Sequence, residues 1–331
     1  MVVRGRGWLL LALIGALLAA CTAAPGPPAW QRVGDLPTGF RAEVLVARGE
    51  ELIIGGRSTD PQRPMLLVAA DAEFREVPLV PVSVYGRTAN LTAVAASADR
   101  LFAVGGDRGG AHGNVRWSVW SGTRSGVTEQ EQSFWTFGGQ EAGSLTALVA
   151  GPAGPVIIGN WGGRHGLDVT EWTVRGETWV RHDSAGTALA STEREVLRET
   201  AAAVRGDRVV VTGTALDLPA GLVPHAVTWV RDPGSDGWRR IDLPTAGTAS
   251  SALDLDCAED CLVAGVVDGR LAAWSGDGAE WQRVELPEVA ADATAVMLRV
   301  FRSGSVWRIA VGRSDKITIV DPGSGEVAAG P

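Results

Sequence analysis

One tyrosine, one lysine, three cysteines and four histidines in 331 residues leave little material for several kinds of chemistry. Lys316 is the single lysine, the formal charge is −8 and no basic cluster occurs, so nucleic acid is not an expected partner. His112, His165, His182 and His225 show neither i, i+4 nor His-x-His spacing, and no metal and no cofactor is expected of them. Glycine-rich stretches such as 105–113 open no helix, so they read as turns and not as phosphate cradles. The opening apolar run, Trp8 to Ala20, falls short of the roughly 20 residues that a membrane-spanning helix needs.

What that opening does contain is the layout of an export signal: Arg4 and Arg6, the apolar run, then small residues leading to Cys21. Leu18-Ala19-Ala20-Cys21 resembles the lipobox of bacterial lipoproteins. The resemblance implies cleavage before Cys21 and a lipid on its thiol, hence a membrane partner through the anchor and a place on the extracytoplasmic face of the cell membrane. An ordinary signal peptide with an incidental cysteine is the competing reading. Residues 22–29, TAAPGPPA, form a Pro-rich tether of ~25 Å when extended. The remaining cysteines, Cys257 and Cys261, stand in DCAEDC; in an exported chain this spacing suits a disulfide across a tight hairpin.

Six β-branched runs ending in glycine recur about every fifty residues: LIIGG from Leu52, FAVGG from Phe102, VIIGN from Val156, VVVTG from Val209, LVAGV from Leu262 and IAVG from Ile309. Each is preceded by another apolar segment across a short polar turn and followed by a third strand. A fourth strand is expected to begin at Phe74, Trp135, Trp179, Trp238 and Trp281, and the sixth repeat has none. WQRVGDLP from Trp30 reads almost like WQRVELP from Trp281, so the missing strand is assigned to the N-terminus. The expected fold is an all-β, six-bladed propeller of four-stranded antiparallel blades over 30–321, its last blade built from 292–321 plus 30–37. Domain limits follow as signal peptide 1–20, lipid-anchored tether 21–29, propeller 30–321 and flexible C-terminal tail 322–331. Paired β-sandwiches would not predict the same four-part order six times. Residues 191–204, STEREVLRETAAAV, have helical composition, although their tail serves as a first strand.

Of the thirteen tryptophans, those on the third and fourth strands follow the blade period, and Trp161 lies outside it in a loop. On the third strands stand Trp120, Trp172, Trp229 and Trp274, for which blade-to-blade packing is a simpler account than a sugar-stacking platform. WSGDGAEW from Trp274 resembles the Asp-box of sialidase-type propellers, as does GSDGW at 234–238, with Asp277 one residue closer to its glycine than in the usual form. The resemblance implies a hairpin whose Asp holds turn amides and whose Trp packs inward; it implies no activity. A sialidase also needs a late tyrosine nucleophile, whereas Tyr85 lies early.

In a propeller the loops joining strand two to three gather on one rim with the linkers between blades. Here those segments, 80–90, 105–115, 159–168 and 212–225, are long and varied, and binding usually resides in long loops on a rigid scaffold. They supply the candidate ligand-binding residues Tyr85, Arg87, His112, Trp161, Arg164 and His165. No catalytic residue is assigned. Two functions remain: a lipid-anchored binding or scaffold module that meets a protein or glycan with this rim, or a cell-surface carbohydrate-active enzyme with converging carboxylates. The tether is expected on the opposite face.

Overall fold

The computed structural model describes residues 35–48, 51–70, 73–109, 113–235, 237–289, 297–312, 317–323 and 327–329. Cys21, the tether, His112 and residues 30–34 therefore lie outside the described residues. Six sheets, antiparallel except for one added edge strand, follow one another as the sequence repeat requires, and the fold is a six-bladed β-propeller. Blade 1 comprises β1 (Phe40–Arg48), β2 (Glu51–Thr59), β3 (Gln62–Ala70) and β4 (Glu73–Glu76). Blade 2 comprises β5 (Leu79–Val80), β6 (Asn90–Ala96), β7 (Leu101–Gly109), β8 (Asn114–Thr123) and β9 (Gly126–Gln130), followed by the short helix α1 (Phe134–Phe137). Blade 3 is β10 (Ala142–Gly151), β11 (Gly154–Gly163), β12 (Gly166–Arg175) and β13 (Thr178–Arg181). Blade 4 is β14 (Glu195–Arg205), β15 (Arg208–Asp217), β16 (Val223–Arg231) and β17 (Arg239–Asp242). Blade 5 is β18 (Ser250–Cys257), β19 (Cys261–Val267), β20 (Arg270–Gly276) and β21 (Trp281–Val284), and blade 6 is β22 (Met297–Ser303), β23 (Val306–Gly312), β24 (Ile317–Val320) and β25 (Val327–Ala329).

The glycine that ends each repeated run has a single cause in five blades. Each first strand carries a β-bulge, and the residue before it faces that glycine: Ala42 and Gly56, Leu91 and Gly105, Leu145 and Gly159, Glu199 and Gly213, Ala252 and Gly265. A Cβ at any of these glycines would stand under 3 Å from the carbonyl oxygen of the residue one step earlier on the first strand. The extra residue of a bulge bends its strand, and the glycine opposite lets the two backbones close up. Gly213→Ala is therefore expected to cost about 1–3 kcal/mol by forcing the Arg198 carbonyl aside; an unchanged urea midpoint would refute the bulge argument.

Apolar clusters join consecutive blades. Trp120 packs between blades 1 and 2, Trp172 between 2 and 3, Trp229 between 3 and 4 and Trp274 between 4 and 5, each essentially without exposure. Three of these indoles also donate to the linker that precedes their own blade: Trp172 Nε1 to Thr136 O at 2.9 Å, Trp229 Nε1 to Ala188 O at 2.9 Å and Trp274 Nε1 to Pro244 O at 2.6 Å. A further cluster joins blades 5 and 6 through Leu298, Ile309 and Leu262. On the far side of blade 1, Ile54, Met65 and Leu67 form a cluster that draws on blade 1 alone among the described residues. Leu45 on β1 is 58% exposed.

Five expectations need correction. The place beside β24 is held by β25, with Ile319 opposite Ala328, and not by residues 30–37. A hairpin joins nearest neighbours in the chain over a loop of a few residues, so its closure entropy is far smaller than that of recruiting the N-terminus. The segment 322–331 consequently supplies a strand where a fraying tail was expected. In blade 2 the fourth strand is β9, directly after the Arg124–Ser125 turn; Trp135 instead belongs to α1 in the linker to blade 3. The sheet of blade 2 has five strands, because β5 joins β9 in parallel and the Glu129 carboxylate accepts bonds from Val82 N, Ser83 N and Ser83 Oγ. Finally, the chain enters β1 from the rim of long hairpins, where Thr59 N and Oγ1 both donate to Gly39 O. The expectation that the tether reaches the opposite face loses its ground with the strand on which it stood.

Helical composition at 191–204 yields to the sheet: β14 runs from Glu195 through Arg205, its side chains packed between blades 3 and 5. Cys257 and Cys261 face each other at the β18–β19 hairpin and are bridged. The Asp-box-like turn is built as the resemblance implies, with Asp277 Oδ1 accepting from Ala279 N and Glu280 N at 2.8 Å each and Trp281 8% exposed. Those two amides hold the Asp277 carboxyl below its usual range.

Two carboxylates stand at neighbouring bulges, Glu199 buried and Asp254 half-buried. Glu199 accepts from Thr146 Oγ1 and Asn160 Nδ2 across the seam to blade 3, while its Oε2 has no partner among the described residues. Asp254 accepts from Val300 N of blade 6 at 2.7 Å, and burial pushes its carboxyl up to about 6. A raised acid pKa means that the folded chain holds its proton longer than the unfolded chain, whose Asp titrates near ~3.9. This contribution to stability is full below pH ~4 and is lost as pH rises through about 6. Asp254→Asn keeps the acceptor for Val300 N, so the variant is expected to lose less of its thermal midpoint between pH 5 and pH 8 than the parent. Equal losses in the two chains would contradict the assignment.

Candidate functional site

Three of the four segments expected as loops on the working rim prove to be hairpins that extend past the blade, while 80–90 is a linker with one 3-10 turn. On blade 3 the ladder continues through Trp161 opposite Asp168, Gly162 opposite Leu167 and Gly163 opposite Gly166, which leaves only Arg164 and His165 at the turn. Glycines that read as loop residues are in the ladder because larger side chains would not fit. A Cβ on Gly163 would fall on the Asp168 carboxylate, and one on Gly162 would meet the Glu141 side chain.

The linker 182–194 lies against this hairpin and fixes it. Val169 N donates to Leu189 O at 3.0 Å, Ser184 Oγ to Val169 O at 2.7 Å and Ser191 Oγ to Leu167 O at 2.6 Å. Ser191 N in turn donates to Asp168 Oδ1 at 2.7 Å. Between hairpin, linker and the start of blade 3 lies a cavity of about 210 Å³ whose wall includes Glu141, Trp161, Arg164, Asp168, Arg181 and Asp183. Burial, with the nearby Asp183 charge, holds the Asp168 carboxyl above its usual range; the Ser191 amide and His165 oppose the shift.

Trp161 is 8% exposed and packs edge-on against Trp172 at 6.2 Å. The Arg181 guanidinium lies 4.7 Å from the Trp161 ring centre, and the indole N–H donates to Glu141 Oε2 at 3.1 Å. The ring is thus a buried wall that orders two charged side chains.

Of the residues singled out from the sequence, Trp161 and Arg164 meet in the cavity, with His165 beside them at the hairpin tip. Tyr85 and Arg87 stand on blade 2: the Tyr85 ring covers Gly109, where a Cβ would collide with it, and Arg87 is exposed at the end of a single 3-10 turn. Neither lines the blade 3 cavity. Glu141, Asp168, Arg181 and Asp183 were missed. Asp168 was within reach, since alternation along the hairpin pairs it with Trp161; Arg181 ends β13 without a motif to mark it, and Glu141 and Asp183 come from linkers, where no period operates. Phe134 and Trp135 were also missed as rim residues. Trp135 is 73% exposed, its ring 5.1 Å from that of Phe134, over which Arg116 lies at 4.7 Å.

No family model matches the chain. No curated protein matches it either. Among solved structures, it is similar to the six-bladed fucose-recognising lectin of the fungus Aleuria aurantia, with a TM-score of 0.50 and 14% identity over 89% of this chain and 97% of the lectin. It is also similar to the β-propeller domain of the Trilobed protease from Pyrococcus furiosus, which has an open velcro topology (TM-score 0.49, 10% identity, 89% of this chain and 84% of that one). A third is the Hadza microbial sialidase Hz136 (TM-score 0.47, 13% identity, 80% of this chain and 65% of that one). At such identities the lectin likeness speaks to fold alone, which the sheet order already establishes.

Proposed function

We propose that the chain is an exported, lipid-anchored propeller that acts as a binding or scaffold module at the extracytoplasmic face of the cell membrane. Its partner, a protein or a glycan, meets the rim of projecting hairpins and linkers. One observation carries this reading: the tryptophans of the third strands are spent on the seams between blades, whereas two groups of charged and aromatic side chains stand on this rim. They are the charged cavity of blade 3 and the exposed Phe134 and Trp135. Cys21 supports the anchor through its place at the end of the apolar run and ahead of the tether.

Two measurements test the proposal on the full-length chain. Labelled palmitate is incorporated by the parent and not by Cys21→Ser, which leaves the membrane fraction. Pull-down and a glycan array return a partner whose capture is lost in Trp135→Ser or Arg164→Met. Turnover of a surface polymer, abolished by a single carboxylate change, would replace binding with catalysis.

A second reading, a carbohydrate-active enzyme, has one observation in its favour. Asp168, with its raised carboxyl, shares a cavity with Asp183 and Glu141, and glycoside hydrolysis uses a protonated carboxyl with an ionised one. It predicts hydrolysis of a glycan that Asp168→Asn abolishes with substrate binding retained.

A further inference from the structure

Five formal charges of both signs stand around the blade 3 cavity: the carboxylates of Glu141, Asp168 and Asp183 and the guanidiniums of Arg164 and Arg181. Among the described residues none of the five makes an ion pair within 4.0 Å, whereas Arg124, Arg231 and Arg240 each close on a glutamate. The groups in the cavity are tied to the scaffold instead. Asp168 Oδ1 takes the Ser191 amide, Asp183 Oδ1 the Ala185 amide at 3.0 Å, Glu141 Oε2 the Trp161 indole, and Arg181 stacks on that indole. These four side chains are thereby held in place with hydrogen-bonding capacity to spare, while Arg164 stands exposed at the hairpin turn beside them.

Fixed charges of opposite sign that do not quench one another are complementary to a ligand that carries both signs itself. An anion would be repelled by three carboxylates, and a plain cation would meet two guanidiniums. A sugar stacked on Trp161 has no place, because Arg181 covers that ring and Trp172 packs against it. The cavity, at about 210 Å³, lies below the range typical of drug-sized ligands.

We infer that the cavity binds a small zwitterion of the size of a free amino acid, its ammonium group against Asp168 and Asp183 and its carboxylate against Arg164 and Arg181. The inference rests on the reading of this rim as a binding surface and names the ligand class for one site on it.

Calorimetric titration of the full-length chain in detergent tests the idea, with the twenty standard amino acids and glycine betaine as probes. N-acetyl amino acids and amino acid amides, each lacking one charge, and neutral galactose serve as controls. At least one zwitterion is expected to bind, and removing either of its charges weakens binding at least tenfold. Asp168→Asn, which keeps an acceptor for Ser191 N, and Arg164→Met, at an exposed turn, each weaken it to the same degree with thermal unfolding unchanged. The N-acetyl analogue loses nothing further in Asp168→Asn, because the pair is already broken. Failure of every zwitterion to bind the folded parent overturns the inference, as does galactose binding that both variants leave intact. Partner capture by a chain that ignores zwitterions sinks the ligand class and leaves the binding module standing; zwitterion binding with no partner captured does the reverse.

Discussion

Arg231→Ala is expected to lower the unfolding free energy by about 3–5 kcal/mol, the range for removing one member of a buried ion pair. Arg231, at the end of β16, bonds to Glu171 of β12 across the seam between blades 4 and 3. The side chain of Glu171 is 5% exposed and that of Arg231 19%, so the carboxylate left behind has little access to water. Arg231 also lies over the Trp238 ring at 5.3 Å, and its loss removes that contact too. The comparison that isolates the buried charge is Glu171→Met with Arg231→Met, which should recover most of the loss because no charge then remains in the seam. Arg270→Ala is the surface control: its pair with Glu288 has both side chains mostly exposed, and such pairs contribute ~0–1 kcal/mol. Urea unfolding of the four chains decides the matter. A loss for Arg231→Ala no larger than that for Arg270→Ala would show that the seam is wet.

This pair illustrates what a sequence gives up and what it keeps. The second and third strands were legible because β-branched runs and glycines repeat at a fixed interval in all six blades, with a third-strand tryptophan in four of them, and burial on both faces demands that composition. Nothing periodic marks Glu171 or Arg231, whose partnership depends on how two blades are rotated against each other. The same limit hid the cavity. Trp161 stands out by breaking the tryptophan pattern and Arg164 by sharing its long rim segment, but Glu141 and Asp183 enter from linkers on either side of blade 3. The bulges were hidden for another reason. One extra residue in a first strand leaves the apolar alternation nearly intact, while its visible sign, the glycine opposite, reads in the sequence as the end of a run. The likeness of WQRVGDLP to WQRVELP pointed to a closing strand that the structure draws from Val327–Ala329, since sequence similarity carries no term for loop closure and a hairpin does.

Trp229→Ala should cost about 3–5 kcal/mol, as truncations of large buried aromatics do, and its effects should reach the rim. Trp229 is 0% exposed between blades 3 and 4, and its indole N–H donates to Ala188 O in the linker 182–194. That linker carries Asp183 and Ser184 of the cavity wall and the Ser191 amide that orients Asp168. The ring therefore holds from below what the hairpin holds from the side. Trp229→Phe separates the two roles: most of the ring volume stays, the donor goes, and the Ala188 carbonyl loses its partner, at a cost of about 1–2 kcal/mol. Because Leu189 follows Ala188 directly and its carbonyl accepts from Val169 N, loosening of this point spreads along the linker. Amide exchange at 184–191 is expected to accelerate in Trp229→Phe while exchange in β18–β20 of blade 5 stays as in the parent. Uniform acceleration in both regions would mean that the indole supports the blades alone and that the linker is anchored by its other bonds.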